Sequence, residues 1–243
     1  MKTPDYWGIA GYPISHSLTP KLFEIVGRKV NISNIEQLFL EAKNSEEFKQ
    51  NITNLEGDLW LSITSPLKHT IIETLQISAD ININSINQLM RIKGEWFGTN
   101  TDGYGFLSAA KHIGIEVKDS ILKIRGGGST ARSIAASWTA AGGYIIPIQG
   151  RRKLVSGSWD QAIIEDCEAD IAVDLDANPG GDVGIEINAK KIVSISYNET
   201  SKMDDFAIIM LVSQHLEAWE LLFTDKTLQP LPSLDYVLKR LHD

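Results

Sequence analysis

The 243-residue chain has a single cysteine, Cys167, and that scarcity excludes much. No intrachain disulfide can form and no cysteine-built metal site is possible, while a reducing compartment suits the chain. The histidines, His16, His69, His112, His215 and His242, lack H-E-x-x-H or any similar spacing, so no metal is expected. No uninterrupted apolar run approaches the ~20 residues that span a bilayer. Met1 to Asp5 carry no apolar leader segment either, so a cytoplasmic location without membrane contact is expected. Positive charge is in deficit: 23 Lys and Arg against 31 Asp and Glu give a net charge of −8. That argues against nucleic acid as a partner, although a local basic pocket can still hold an anion. A G-x-S-x-G elbow is also missing, which removes the commonest serine hydrolase signature. What remains is an ordinary globular composition, 43% hydrophobic and 22% charged, long enough for one large or two small domains.

The pattern along the chain is that of an α/β protein. Strands are expected over 6–10, 35–40 and 58–64, alternating with helices that open at Thr19-Pro20, at Asn44-x-x-Glu47 and at Pro66. Thr19 can cap the first helix with Pro20 in its first turn, and Asn44 with Glu47 forms a capping box. A short strand over 84–92, a tight turn at Lys93-Gly94-Glu95-Trp96 and a return strand over 97–99 follow. Asn100-Thr101-Asp102-Gly103 then leads into a helix, with a hinge expected at 102–105, where Gly103 and Gly105 loosen the backbone. A second unit begins near Ser120. It has strands over 121–124, 144–148, 171–175 and 192–197, a helix remnant over 163–168, and helices over 206–223 and 234–241.

Three stretches carry chemistry. Gly126-Gly127-Gly128-Ser129-Thr130-Ala131 fits G-x-G-x-x-A between a strand and a helix of small residues. The first glycine permits the turn, the second lets a pyrophosphate approach, and Ala131 allows close helix–sheet packing. After the next strand comes Gln149-Gly150-Arg151-Arg152-Lys153, where an NAD site would place an acid. Arg151 and Arg152 suit a 2′-phosphate, so NADP is the cofactor expected over NAD. Finally, Lys68 stands in the first turn after Ser65-Pro66, where the helix dipole disfavours a cation. Helix physics gives no reason for a lysine there. Taken singly, Lys68 could be a solvated surface residue. Asp102, Ser17 and Thr19 could be helix caps, Thr64 a plain strand residue, and Asn87 a turn residue.

Together these stretches resemble the shikimate dehydrogenase family. The resemblance rests on Ser17-Leu18-Thr19-Pro20, Thr64-x-Pro66-x-Lys68, Asn87, Asn100-Thr101-Asp102-Gly103, the Gly126–Arg132 loop, Tyr197 and Met210-Leu211-Val212-x-Gln214, in that order. It implies a substrate domain over 1–103 and 207–243 and a Rossmann-like NADP domain over 104–206, with the C-terminal helices returning to the first. It implies hydride transfer between NADPH and 3-dehydroshikimate, giving shikimate, by a monomer or homodimer. Lys68 and Asp102 would be the catalytic pair. Ser17 and Thr19 would bind the substrate carboxylate, and Thr64, Asn87, Tyr197 and Gln214 its hydroxyls or carboxylate.

The chain departs from the family mainly in the second unit. Ser62 stands in place of an Asn, and Ser85-Ile86-Asn87-Gln88 in place of a G-A-V-N-T-like run. Ser129 replaces a glycine of the cofactor loop, Ser194 an Asp, and Ala207 a glycine. Asp174-Leu175-Asp176-Ala177-Asn178-Pro179-Gly180 replaces an N-A-T-P-x-G-M-like loop, adding carboxylates that would repel phosphates. The interval from Tyr197 to Gln214 is short for the family. Two alternatives therefore stay open: a dehydrogenase of quinate or another cyclic hydroxy acid, and a non-catalytic shikimate-binding protein with a degenerate cofactor site.

Overall fold

A computed structural model describes residues 3–176, 187–197, 201–202, 204–223 and 229–242. The chain divides into two compact units, one made of residues 1–101 and 215–243, the other of residues 102–214.

The first unit is built on a five-stranded mixed sheet in the order β2-β1-β3-β4-β5. Its strands are β1 (Tyr6–Gly11), β2 (Glu36–Glu41), β3 (Leu59–Ile63), β4 (Gln88–Ile92) and β5 (Glu95–Thr99). The first three run parallel and are joined by α1 (Thr19–Lys29) and α2 (Ser45–Ile52). The last two form an antiparallel hairpin on β3. Lys93 and Gly94 turn that hairpin with φ of 51° and 85°, the left-handed pair that matches strand twist. β3 is buried along its whole length, as a central parallel strand must be. α3 (Leu67–Leu75) follows it, and the C-terminal α7 (Leu234–His242) packs on α1, where Lys21 Nζ donates to the Leu241 carbonyl at 2.8 Å.

One face of this sheet carries an aromatic core. Trp7 stacks on Phe23 at 5.2 Å, Phe23 meets Trp60 edge-on at 4.7 Å, and Trp60 meets Trp219 at 4.9 Å. Such pairs contribute ~0.5–1.5 kcal/mol each beyond their burial. The other face holds an aliphatic cluster that includes Leu59, Leu61, Ile63, Leu67, Ile71 and Leu89.

The second unit is a four-stranded parallel sheet, β7-β6-β8-β9. Its strands are β6 (Ile121–Arg125), β7 (Tyr144–Ile148), β8 (Ile171–Asp174) and β9 (Ile192–Val193). α5 (Ser129–Ala140) links β6 to β7, α4 (Asp102–His112) precedes β6, and the unit division falls inside α6 (Phe206–Leu222). β6 is central, with Leu122 opposite Ile145 on one side and Ile171 on the other.

Several expectations need correction. Thr19 is the first residue of α1 rather than its cap; Ser17 Oγ, just ahead of the helix, accepts the Thr19 amide at 3.2 Å. Pro66 precedes α3, which opens at Leu67. The expected helix over 163–168 is absent. A 3₁₀ turn occupies Asp160–Ala162, and Ile163 then pairs with Ile145 on the outer edge of β7. Asp166 is drawn to the buried Lys123 of β6, 2.7 Å away. β9 stops at Val193, and β8 ends at Asp174, one residue past the matching register position, so no residue of β8 remains to pair beyond Ser194. Gly103 and Gly105 do not loosen the backbone. Both are buried in regular helix, where a Cβ at Gly103 would collide with the Ser133 carbonyl and one at Gly105 with Gln214. They are close-packing glycines.

Candidate functional site

In the first unit the polar residues gather at the carboxyl ends of the parallel strands, where open α/β sheets present their binding crevices. Gly11 ends β1 with φ of 149°, and a Cβ there would strike Thr64 Cγ2. The absent Cβ leaves room for Thr64, whose amide donates to the Ala10 carbonyl at 2.9 Å and whose carbonyl accepts Leu67 N–H at 3.0 Å, turning the chain into α3. Lys68, half-buried, is the second residue of α3. Its carbonyl accepts the Ile86 amide at 2.9 Å, which fastens the first turn of α3 to the residue before Asn87.

Asn87 is itself buried and tied on three sides. Its carbonyl accepts Ile63 N–H at 2.8 Å and its amide donates to the Thr99 carbonyl at 3.0 Å. Its Oδ1 accepts the Thr101 amide at 2.8 Å and its Nδ2 donates to Thr101 Oγ1 at 3.1 Å. Neighbouring Gln88 accepts from Trp60 Nε1 at 2.8 Å, so the buried end of the hairpin satisfies its own polar groups. Thr64, Lys68 and Asn87 thus lie at one end of the central strands of the first sheet. Ser17 and the buried Thr19 lie at the start of α1, after the same β1 end.

The second unit contains Asp102, the glycine loop, Arg151, Arg152, Tyr197 and Gln214. Asp102 opens α4 and is buried, and its Oδ2 accepts the Thr130 hydroxyl at 3.2 Å. The next amide, Gly103 N–H, donates to Ser133 Oγ at 2.9 Å. Thr130, expected to face a cofactor, is therefore also a partner of the expected catalytic acid. Gln214 packs its backbone on Gly105. Tyr197 is half-buried, beyond the end of β9.

The glycine loop fits a dinucleotide in part. Gly126 turns with φ of 104°, and a Cβ at Gly127 would collide with the Lys153 carbonyl. Gly128 caps α5 without a side-chain hydrogen bond, and the space beside it is open, so phosphate oxygens could reach the helix start. Arg132, in the next turn, sits beside Arg152. Burial, and then the Arg152 charge, pull its guanidinium below the ordinary value. Composition alone does not reveal that crowding of cations. Against them stand two acids at the end of β8. Asp174 Oδ2 accepts from Arg125 at 2.6 Å, and Asp176 Oδ2 accepts the Arg151 amide, its Oδ1 lying 3.7 Å from Arg151 Nε. Residues 177–180 of the altered loop lie outside the described residues. Among the described residues no group of His, Cys, Asp or Glu could hold a metal, and no helix is long and apolar enough to cross a membrane.

No protein-family model matches the chain. Among curated proteins it is 31% identical over 150 residues to the NADP⁺-dependent shikimate dehydrogenase of Gloeothece citriformis, covering 60% of this chain and 51% of that one. The chain thus spans about half the length of the curated relatives it matches. Among solved structures, the shikimate 5-dehydrogenase of Thermus thermophilus in complex with NADP(H) and shikimate aligns with a TM-score of 0.74 at 19% identity, over 98% of each chain. A 5-ketofructose reductase from Gluconobacter aligns with a TM-score of 0.70 at 15% identity, over 98% of this chain and 97% of that one. The α/β fold is therefore one that shikimate dehydrogenases of known structure share, and part of the chain is similar in sequence to curated NADP⁺-dependent shikimate dehydrogenases.

Proposed function

We propose that the chain is an NADP-dependent oxidoreductase that reversibly reduces 3-dehydroshikimate to shikimate, a step of aromatic amino acid biosynthesis. The observation that carries this reading is the bond from Ile86 N–H to the Lys68 carbonyl, which holds the lysine beside the Asn87 clamp. A lysine that delivers a proton to a ring hydroxyl needs neighbours that hold the ring still, and Thr64 and Asn87 stand at the same strand ends. The first unit serves as the substrate domain and the second as the cofactor domain, in a cytoplasmic monomer or homodimer.

Held at the Gly126–Ala131 loop, NADP would supply hydride-transfer chemistry for the ring C3. The chain's own residues manage the proton and the orientation. In reduction, the Lys68 ammonium gives a proton to the developing C3 alkoxide and regains one from solvent; oxidation reverses both. Asp102 orients the hydroxyl. Ser17 Oγ accepts the Thr19 amide, and its proton stays available for a carboxylate. Thr19 adds a second hydroxyl, and Thr64, Asn87, Tyr197 and Gln214 read the remaining polar groups of the substrate.

The test is steady-state reduction of NADP⁺ and NAD⁺ with shikimate and with quinate, on wild type and Lys68→Met. Shikimate-dependent turnover that falls about 10³-fold in the variant, with shikimate binding retained in calorimetry, is expected. Turnover unchanged by the substitution would sink the catalytic reading. A second reading, a ligand-binding protein without turnover, is favoured by the Asp176 carboxylate on Arg151; it predicts shikimate binding with no dinucleotide binding at all. Quinate or another polyol outrunning shikimate would move the substrate, within a fold that a 5-ketofructose reductase also uses.

A further inference from the structure

The end of β7 lacks the acid that an NAD site places there, and Gly150 and Arg151 follow instead. A carboxylate nevertheless reaches that place from elsewhere. Asp176 follows β8, on the far side of the central strand β6. Its carboxylate crosses over Gly126, where an added Cβ would lie 3.2 Å from Oδ1, and a Cβ at Gly150 would collide with Oδ2. There it accepts the Arg151 amide and stands 3.7 Å from Arg151 Nε, with only 11% of its side chain exposed. The Asp176 amide is in turn fixed by Asp174 Oδ1 at 2.9 Å, and Asp174 holds Arg125. The acid is thus braced in place above the glycine turn.

We infer that Asp176 is a specificity-determining residue of the cofactor site, because its carboxylate occupies the anion position on Arg151 that a 2′-phosphate would take. Two anions cannot share one guanidinium and one backbone amide without repulsion. A nucleotide bearing a 2′-phosphate must displace Asp176 or bind without Arg151. A nucleotide with a free 2′-hydroxyl meets a carboxylate able to accept it. The site therefore prefers NADP⁺ over NAD⁺ by less than Arg151 and Arg152 alone would give it. This inference rests on the dinucleotide reading of the second unit.

The test is calorimetric titration of 2′,5′-ADP, 5′-AMP, NADP⁺ and NAD⁺ into wild type, Asp176→Asn, Arg151→Ala and the double variant. Wild type is expected to bind 2′,5′-ADP and 5′-AMP within a few-fold of each other. Asp176→Asn is expected to tighten 2′,5′-ADP about tenfold and leave 5′-AMP unchanged, as removal of one repelling charge should. Arg151→Ala should cancel that gain in the double variant. If Asp176→Asn does not fold, Arg151→Ala alone decides, since a guanidinium already taken by Asp176 costs the 2′-phosphate little when removed. Nucleotides that bind with an unaltered 2′,5′-ADP to 5′-AMP ratio in Asp176→Asn, or a large loss of 2′,5′-ADP in Arg151→Ala alone, overturn the assignment while leaving the cofactor reading intact. No nucleotide binding in any variant overturns both.

Discussion

The two units hold their polar groups in opposite ways. In the first, the hydrogen bonds around Thr64, Lys68 and Asn87 run between buried backbone and neutral side chains, above a core of tryptophans and leucines. Bonds between neutral groups respond little to salt and pH. In the second, the corresponding strand ends are held by charge: Arg125 with Asp174, Arg151 with Asp176, and Arg132 crowded by Arg152. A charged arrangement answers to whatever anion enters. The difference teaches that the first unit is braced by neutral bonds and the second is balanced by charge, so substitutions should act on rigidity in one and on ligand choice in the other.

One group in the first unit does respond to pH, and it gives the largest expected effect. His215 is buried between Phe23, 4.5 Å away, and Trp60, 5.8 Å away. Both of its ring nitrogens lack a hydrogen-bond partner among the described residues. Burial pushes its pKa from 6.5 down to about 3. Below pH 6.5 the unfolded chain takes up a proton that the folded one refuses, so stability falls as the pH drops from 6.5 toward 3. At ~1.4 kcal/mol per pH unit, this group alone removes about 3 kcal/mol between about pH 7 and about pH 4. His215→Phe should fill the same space with an aromatic ring and cut the pH dependence by that amount. Urea unfolding of both proteins at the two pH values checks it, and parallel losses would show that the histidine finds a proton partner. Such an outcome would also remove the contrast between a neutral half and a charged one.

Next comes the Asn87 clamp. Asn87→Ala leaves the wholly buried Thr101 amide without its acceptor. An orphaned buried donor costs ~1–3 kcal/mol, and about 2 kcal/mol is expected here because the Thr101 hydroxyl loses its partner too. Shikimate affinity should fall as well, since Thr101 carries the chain into Asp102. A variant as stable as wild type, with unchanged shikimate binding, would mean that the first unit is not braced by this network.

Much of this arrangement is legible in the residues, and the failures share a cause. The capping box at Asn44 is present, with Glu47 N–H donating to Asn44 Oδ1 at 2.9 Å, because caps are decided within four residues. The strand over 144–148 and the Lys93-Gly94 turn are equally local. The supposed helix over 163–168 and the overlong strand over 192–197 fail because a neighbouring strand decides them, by offering Ile145 in one case and by ending in the other. The glycines of α4 mislead for the same reason, since their meaning lies in Ser133 and Gln214. Asp176 is the sharpest example. Acids after β8 can be read as hostile to phosphate, but that one of them crosses β6 to seize Arg151 depends on which strands lie side by side.

The smallest effect should come from the counterpart of Asn87 in the second unit. Asp102 lies between two held amides, Thr101 N–H on Asn87 and Gly103 N–H on Ser133 Oγ. Gly103 is in the first turn of α4, where amides have no intrahelical acceptor and depend on such side chains. Ser133→Ala removes the acceptor of the Gly103 amide, against the several bonds lost with Asn87. About 1 kcal/mol is therefore expected, the usual worth of a single hydrogen bond. Faster hydrogen exchange should be confined to the start of α4. Global unfolding would report the free energy and exchange at the Gly103 amide its location. If Ser133→Ala proves as costly as Asn87→Ala, the ranking reverses: Asp102 would then be held chiefly from the unit that carries the glycine loop. The half balanced by charge would in that case also be the one that fixes the acid.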